Sequence, residues 1–125
     1  MTVRSYRDLL VWQKSMALVT EVYRGTRGFP REEIYGLTSQ MRRAAVSIPS
    51  NIAEGYGRNS TQDYVRFLRM ASGSLYELQT QLEIAVNLNY FDKTMFETLY
   101  SASSEAEKML SSLINKLVRS IDGTA

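Results

Sequence analysis

Residues 60–88, STQDYVRFLRMASGSLYELQTQLEIAVNL, carry apolar side chains in a strictly helical pattern. The apolar positions follow one another in alternating steps of four and three: Tyr64, Leu68, Ala71, Leu75, Leu78, Leu82 and Ala85. Side chains at these spacings share one face of an α-helix. Ser60 is a good N-cap for such a helix, with Asp63 three residues later. The pattern predicts an amphipathic helix over about residues 61–88 that buries this face.

Three further segments have apolar side chains at helical spacing, over about residues 6–26, 32–56 and 93–120. In the first, the predicted core face consists of Leu9, Trp12, Met16, Val19 and Tyr23. In the second, it consists of Ile34, Leu37, Met41, Ala45, Ile48 and Ile52. In the last, which follows Asp92 as N-cap, it consists of Phe96, Leu99, Ser103, Ala106, Leu110, Leu113 and Leu117. Short connections between long helices force antiparallel neighbours. The sequence therefore predicts an all-α fold, an antiparallel up-and-down four-helix bundle, in a single domain over residues 1–125.

Pro49 lies inside the second predicted helix. Proline removes a backbone donor and crowds the preceding turn, so it usually breaks or kinks a helix. The apolar spacing nevertheless keeps its phase from Ile48 to Ile52. We therefore expect the helix to continue through Pro49 with a kink, and to end near Gly55 and Gly57.

The residue types on which many enzymes and metal centres rely are missing from this chain. It contains no cysteine and no histidine, which removes disulfides, thiolate ligands, the histidine ligand of haem and the Glu-x-x-His pairs of di-iron bundles. It also has no glycine-rich phosphate loop. We predict a protein that is not an enzyme and has no catalytic residues, metal site or cofactor. No apolar run approaches the roughly 20 residues of a membrane span, so we expect a cytoplasmic protein without a membrane partner.

Apolar residues also lie beside the predicted core faces. They include Leu10, Val11, Leu18 and Val22 in the first helix and Met95, Met109, Ile114 and Val118 in the last. These side chains either widen the core or form a subunit interface. We favour the interface, because large exposed apolar patches are uncommon on soluble monomers. The sequence thus predicts a homo-oligomer.

Basic residues are concentrated in the first half of the chain. Residues 1–58 contain nine Lys and Arg against five Asp and Glu, a balance of +4, whereas the whole chain carries +2. A polar strip on the second helix, on the side away from its predicted core face, consists of Gln40, Arg43, Ser47, Asn51, Glu54 and Arg58. The strip is either a solvated face with weak surface ion pairs or a ribbon that binds phosphates. On the third helix, Arg66 and Arg69 face the same way.

Two stretches of the chain carry a specific resemblance. The first is DLLVWQK at residues 8–14, followed by Val22-Tyr23 and Phe29-Pro30. The second is GLTSQMRRAAVSIPSNIAEGYGR at residues 36–58. Both resemble the 23S rRNA-intervening sequence proteins, a bacterial family of four-helix bundles. That family is similar to the accessory variability determinant of diversity-generating retroelements, which forms a pentameric barrel and binds nucleic acid and a reverse transcriptase.

The resemblance implies a homopentamer with a basic surface. We expect this surface to bind nucleic acid, and RNA in preference to DNA. The candidate contacts, taken from the matched motif and from the third helix, are Arg42, Arg43, Arg58, Arg66 and Arg69. Arg42 points to a different flank from Arg43, beside Val46, where we expect a neighbouring subunit to cover it. Two functions follow as hypotheses. The first is a nucleic-acid-binding accessory protein for structured RNA. The alternative is a protein-interaction scaffold that docks a partner enzyme such as a reverse transcriptase.

Overall fold

The computed structural model describes residues 2–121, and within them the chain forms helices and turns without a β-strand. The four helices are α1 (Leu10–Thr26), α2 (Leu37–Tyr56), α3 (Thr61–Asn87) and α4 (Lys93–Ile121). Short 3₁₀ turns at Tyr6–Asp8 and Arg31–Glu33 precede α1 and α2. Helices α1 and α3 each pack against both α2 and α4. The predicted all-α, antiparallel four-helix bundle is therefore confirmed. The single domain predicted over residues 1–125 includes positions at both ends that lie outside the described residues.

Helix α3 supplies the centre of the core, as its sequence pattern predicts. Six of its seven predicted positions are fully buried: Leu68, Ala71, Leu75, Leu78, Leu82 and Ala85. The seventh, Tyr64, is half-buried at the start of the helix. The predicted caps are also present, because Ser60 Oγ accepts the backbone N–H of Asp63 at 3.1 Å and Asp92 Oδ1 accepts that of Met95 at 2.8 Å. Each cap satisfies a backbone donor that the first turn of its helix leaves unpaired.

The core face of α1 differs from the predicted one. The buried residues are Val11, Ser15, Leu18, Val22 and Thr26, whereas Met16 and Tyr23 of the predicted face are exposed. The pattern was obscured by two small polar residues at core positions. Ser15 Oγ donates to the carbonyl of Val11 at 2.7 Å, and Thr26 Oγ1 donates to that of Val22 at 2.8 Å. Because each hydroxyl is satisfied by its own helix, it can be buried without the cost of an unpaired polar group.

Two predicted helix starts also need correction. The first predicted helix, 6–26, is divided at Leu9, whose extended backbone separates the 3₁₀ turn at Tyr6–Asp8 from α1. The second predicted helix, 32–56, begins only at Leu37, after the 3₁₀ turn and the non-helical Gly36. Ile34 is consequently exposed and does not belong to the core.

In α4 the buried face shifts gradually around the helix axis relative to the predicted one. Leu99, Ser103, Ala106 and Leu110 are buried as predicted, but Ile114 is buried beyond them. Leu113 and Leu117, the predicted continuation, are only half-buried. A strict alternation of threes and fours has a period of 3.5 residues, and an α-helix of 3.6 residues per turn drifts away from it over several turns.

Helix α2 continues through Pro49 without interruption, which confirms its predicted continuity. The proline removes the N–H that would bond the carbonyl of Ala45. Side chains bond other carbonyls in this part of the helix: Ser50 Oγ donates to Val46 and Asn51 Nδ2 donates to Ser47, both at 2.8 Å. Pro49 itself is buried, so its ring contributes apolar surface to the packing.

Hydrogen bonds to Glu33 connect the loop before α2 with the loop after α3. Its Oε1 accepts the backbone N–H of Leu37 at 3.0 Å, and its Oε2 accepts the hydroxyl of Tyr90 at 2.7 Å. The bond from Leu37, followed by that from Tyr90, lowers the pKa of Glu33. The bond to Glu33 in turn raises the pKa of Tyr90. Both groups are therefore held in the ionisation states that keep this contact intact at neutral pH.

We expect Glu33 to make the fold acid-sensitive. A carboxyl group whose pKa is lowered by folding stabilises the protein above its ordinary pKa of 4.5. That contribution is lost as the pH falls below this value and through the pKa of the folded state. Urea midpoints of the parent and of Glu33→Gln, measured at neutral pH and at about pH 3, test this expectation. The midpoint of the parent should fall more than that of the variant, and equal losses would contradict the role assigned to Glu33.

Candidate nucleic-acid interface

The five candidate arginines lie in three separate places on the bundle. Arg43, Arg58 and Arg66 lie along the contact between α2 and α3, a surface that we call the α2–α3 seam and define by these arginines with Ser47, Asn51 and Ser74. Arg42 turns toward the end of α1. Arg69 lines a cleft with residues of α4. The structure therefore does not join the five side chains into one continuous surface.

Polar side chains hold the middle of the seam together. Ser74 Oγ of α3 lies 2.9 Å from Ser47 Oγ of α2, and Asn51 Nδ2 donates to both the carbonyl and the hydroxyl of Ser47. The polar strip of α2 thus borders α3, rather than lying opposite the core face as its helical position predicts. It turns toward α3 because small polar residues on both helices, Ser47 and Ser74, bond across the contact.

Arg58 and Arg66 form a compact cluster at one end of the seam. Their guanidinium carbons lie 4.5 and 4.6 Å from the centre of the Phe67 ring. Both also approach Asp63, at 2.8 Å for Arg66 Nη2 and 3.9 Å for Arg58 Nε. Arg58 makes a further ion pair with Glu54 at 3.4 Å. The aromatic ring orients both guanidinium planes, while the two carboxylates partly neutralise their charge.

Arg43 lies at the other end of the seam. It is exposed and makes no ion pair within residues 2–121. It lines a polar cleft of about 520 Å³ with Tyr35, Gln40, Ser47 and Glu77 among others. Arg43 lies thirteen positions before the end of α2 at Tyr56, about 20 Å along the helix axis, and Arg58 follows two positions beyond that end. The seam therefore offers positive charge at its two ends.

Arg42 is engaged within the chain. Its Nε donates to Thr26 Oγ1 at 2.9 Å and its Nη2 donates to the carbonyl of Tyr23 at 3.3 Å. The guanidinium also stacks on the Tyr23 ring, with 4.6 Å between its central carbon and the ring centre. These contacts satisfy carbonyl and hydroxyl groups at the C-terminal end of α1. Arg42 thus links α1 to α2. Its expected coverage by a neighbouring subunit stays a prediction.

Sequence reasoning assigned no role to Arg27 and Arg31. Both line a cleft of about 360 Å³ together with Arg42. The available signal was their position on either side of the Gly28-Phe29-Pro30 turn, which brings two basic residues to the same bend of the chain. Their closeness to Arg42 could not be read from spacing, because it depends on how α1 packs against α2.

An apolar groove runs between α1 and α2 on another side of the bundle. It has a volume of about 320 Å³ and is lined mainly by Tyr6, Trp12, Met16, Val19, Val46 and Pro49. Met16 and Val46 are 43% and 40% exposed. The residues predicted as the core face of α1 therefore form part of a surface groove, which has the apolar character of an interaction site.

Two tyrosines have raised pKa values, and the described residues hold no metal-binding cluster. Residues 2–121 contain no cluster of three or more acidic side chains that could hold a metal ion. Burial raises the pKa of Tyr64 to about 12, and the pKa of Tyr90 is raised by its bond to Glu33. Both shifts disfavour the phenolate, the form that a general base would need. Within the same residues, none of the helices combines the length and the apolar character needed to cross a bilayer.

These features define an all-α four-helix bundle protein with a basic seam between two helices. The sequence profile of the 23S rRNA-intervening sequence protein matches residues 7–112, and the chain belongs to that family. A 1.70 Å crystal structure of a protein with unknown function, from the S23 ribosomal protein family of Bacteroides thetaiotaomicron VPI-5482, has a similar fold. The TM-score is 0.76 at 24% sequence identity, covering 84% of this chain and 98% of that chain. No curated protein matches the chain.

Proposed function

We propose that this chain is a non-enzymatic accessory protein that binds structured RNA through the basic surface of a homo-oligomer in the cytoplasm. The observation that carries the proposal is the α2–α3 seam. Arg43 has no acidic partner in the described residues, and Arg58 and Arg66 are oriented by one aromatic ring. Arginine suits this role because its planar fork matches phosphate oxygens. The description of the family supplies the link to ribosomal RNA.

Binding at the seam requires phosphates to compete with two carboxylates. Asp63 and Glu54 already contact Arg58 and Arg66. These ion pairs are largely exposed, and exposed pairs contribute about 1 kcal/mol or less. A phosphate backbone that meets several guanidinium groups at once can therefore displace them. The polar and basic side chains of the seam suit the shape and the phosphate backbone of an RNA rather than its bases.

A salt series on the parent protein tests the proposal. We expect RNA affinity to fall steeply with salt, because each neutralised phosphate releases counterions. Three arginines per seam correspond to a slope of log K against log salt of about −2 to −3 for each seam engaged. Fluorescence anisotropy with a structured RNA and with duplex DNA of equal length measures both slopes. RNA should bind more tightly than DNA, and an RNA affinity that does not change with salt would count against the seam.

We also propose that the protein assembles into a pentamer. The apolar groove lined by Trp12, Met16 and Val46 supports an interface between copies, and the resemblance described above supplies the number five. Light scattering at micromolar concentration should give a mass of about 72 kDa, five times the 14.3 kDa of one chain. A mass of 14.3 kDa would refute assembly, and another multiple would correct the number.

A separate apolar groove between α1 and α4 favours a second candidate function, a scaffold whose oligomeric surface docks a partner enzyme such as a reverse transcriptase. Leu9, Leu10, Met109 and Leu113 are among its lining residues, and apolar and methionine side chains of this kind are typical of the centre of protein interfaces. The two functions are separated by the RNA titration. A protein that assembles but does not bind RNA would favour the scaffold.

A further inference from the structure

A cleft lies at the corner where α1 ends and α2 begins. Its volume is about 360 Å³, and three arginines line it: Arg27, Arg31 and Arg42. No carboxylate is among its lining residues. None of the three belongs to the α2–α3 seam. Three positive charges around one small cleft produce a local potential that favours an anion.

One of these guanidinium groups is fixed in position by the fold. Arg42 is held by Thr26 Oγ1, by the carbonyl of Tyr23 and by stacking on the Tyr23 ring. These bonds use Nε and Nη2, so Nη1 makes no bond to the described part of the chain. A donor that is already ordered loses little side-chain entropy when a ligand binds to it.

The other two arginines carry charges that the chain leaves uncompensated. Arg27 and Arg31 are exposed, and neither side chain makes an ion pair or a hydrogen bond with residues 2–121. Most of the other arginines described above are engaged, as Arg24 is with Glu21 and Arg66 is with Asp63. The cleft thus contains two guanidinium groups, those of Arg27 and Arg31, that lack an acidic partner within the described residues.

A hydroxyl group adds a neutral donor to the same cleft. Thr38 lines the cleft, and the residue as a whole is only 6% exposed. Its hydroxyl keeps contact with solvent and makes no hydrogen bond within the described part of the chain, so it is available to a ligand. Thr38 also lies in the first turn of α2, where the helix dipole favours an anion. The opposing carbonyl end of α1 is already capped, because Tyr23 accepts bonds from Arg42 and Thr26.

We propose that this cleft binds a phosphate group in its doubly charged form, as found in inorganic phosphate and in phosphomonoesters. At neutral pH the second proton of such a group is largely lost. Two negative charges and several oxygens match three guanidinium forks and one hydroxyl better than a singly charged phosphodiester does. The site stands on residues outside the seam and does not depend on the proposed RNA binding.

Titration calorimetry with inorganic phosphate at about pH 7.5 and constant ionic strength tests the site. Arg27→Gln and Arg31→Gln should each weaken binding roughly tenfold, because each removes a charge-assisted contact. Arg4→Gln is the matched control, since the side chain of Arg4 is also exposed and makes no ion pair with residues 2–121, but lies outside both the cleft and the seam, and it should leave the affinity unchanged. No binding by the parent at about 10 mM phosphate, or equal affinities of the parent and both cleft variants, would overturn the proposal.

A second titration identifies the source of the phosphate. It compares one single-stranded RNA with a 5′-monophosphate and with a 5′-hydroxyl, using the parent and Arg31→Gln. A preference for the phosphorylated end that Arg31→Gln abolishes would support the site and assign it to an RNA terminus. Phosphate binding with no preference between the two ends would support a site for a small free phosphate. Phosphate binding without any RNA binding would support the site while refuting the function proposed above.

Discussion

Leu75→Ala and Leu110→Ala are each expected to lower the free energy of unfolding by about 2–5 kcal/mol. Both leucines are fully buried, Leu75 in the middle of α3 and Leu110 in α4. Truncation removes apolar surface from the core and leaves a cavity, because the helices around it relax only partly. Denaturant unfolding measures the effect. All variants are compared at one protein concentration, because the apparent stability of an oligomer depends on it.

Leu88→Ala is the matched control for these core variants. Leu88 follows α3 and is 51% exposed, so its truncation should change the free energy of unfolding by about 0.5 kcal/mol or less. Core variants that unfold at the same denaturant concentration as this control would show that the apolar centre of the bundle lies elsewhere.

Arg43→Ala and Arg58→Ala are each expected to weaken RNA binding across unrelated sequences and to reduce the salt slope by about one unit. Each variant removes one phosphate contact without touching a base-specific group. The effect of Arg43→Ala should come from lost charge alone, because Arg43 has no ion pair in residues 2–121. Arg58→Ala also releases Glu54 and disturbs the stacking on Phe67.

Arg24→Ala serves as the control for charge removal. Arg24 is exposed on α1 and pairs with Glu21 at 2.8 Å, away from the seam. The Arg24→Ala variant should leave the salt slope of RNA binding unchanged. Neither this variant nor Arg43→Ala nor Arg58→Ala should alter the oligomer mass. A slope that falls equally for Arg24→Ala would mean that the RNA responds to total charge and not to the seam.

The sequence predicted the core face best where apolar residues recur at regular helical spacing. Helix α3 is the clearest case, because seven apolar residues at regular spacing leave only one face to bury. Helix α1 was misjudged because Ser15 and Thr26 occupy core positions. Their hydroxyls bond to carbonyls of the same helix, and such bonding cannot be inferred from residue type. The core face was therefore assigned to the more apolar flank, which forms a surface groove.

The candidate interface was predictable only in part. The sequence identified Arg43 and Arg58 as members of one polar strip, and the structure places both along the α2–α3 seam. It could not show that Arg42 would be held by Tyr23 and Thr26, because those contacts depend on the packing of α1 against α2. The closeness of Arg27 and Arg31 to Arg42 was hidden for the same reason.

The central claim, that the α2–α3 seam binds RNA, is tested most directly by the affinity of the Arg43→Ala/Arg58→Ala double variant at low salt. Low salt gives electrostatic contacts their greatest weight, so loss of two phosphate contacts is most visible there. The parent and the double variant should have the same oligomer mass, and the variant should bind a structured RNA markedly more weakly than the parent. If the double variant binds RNA as tightly as the parent, the seam is a solvated surface, the central claim is wrong, and the scaffold becomes the preferred hypothesis.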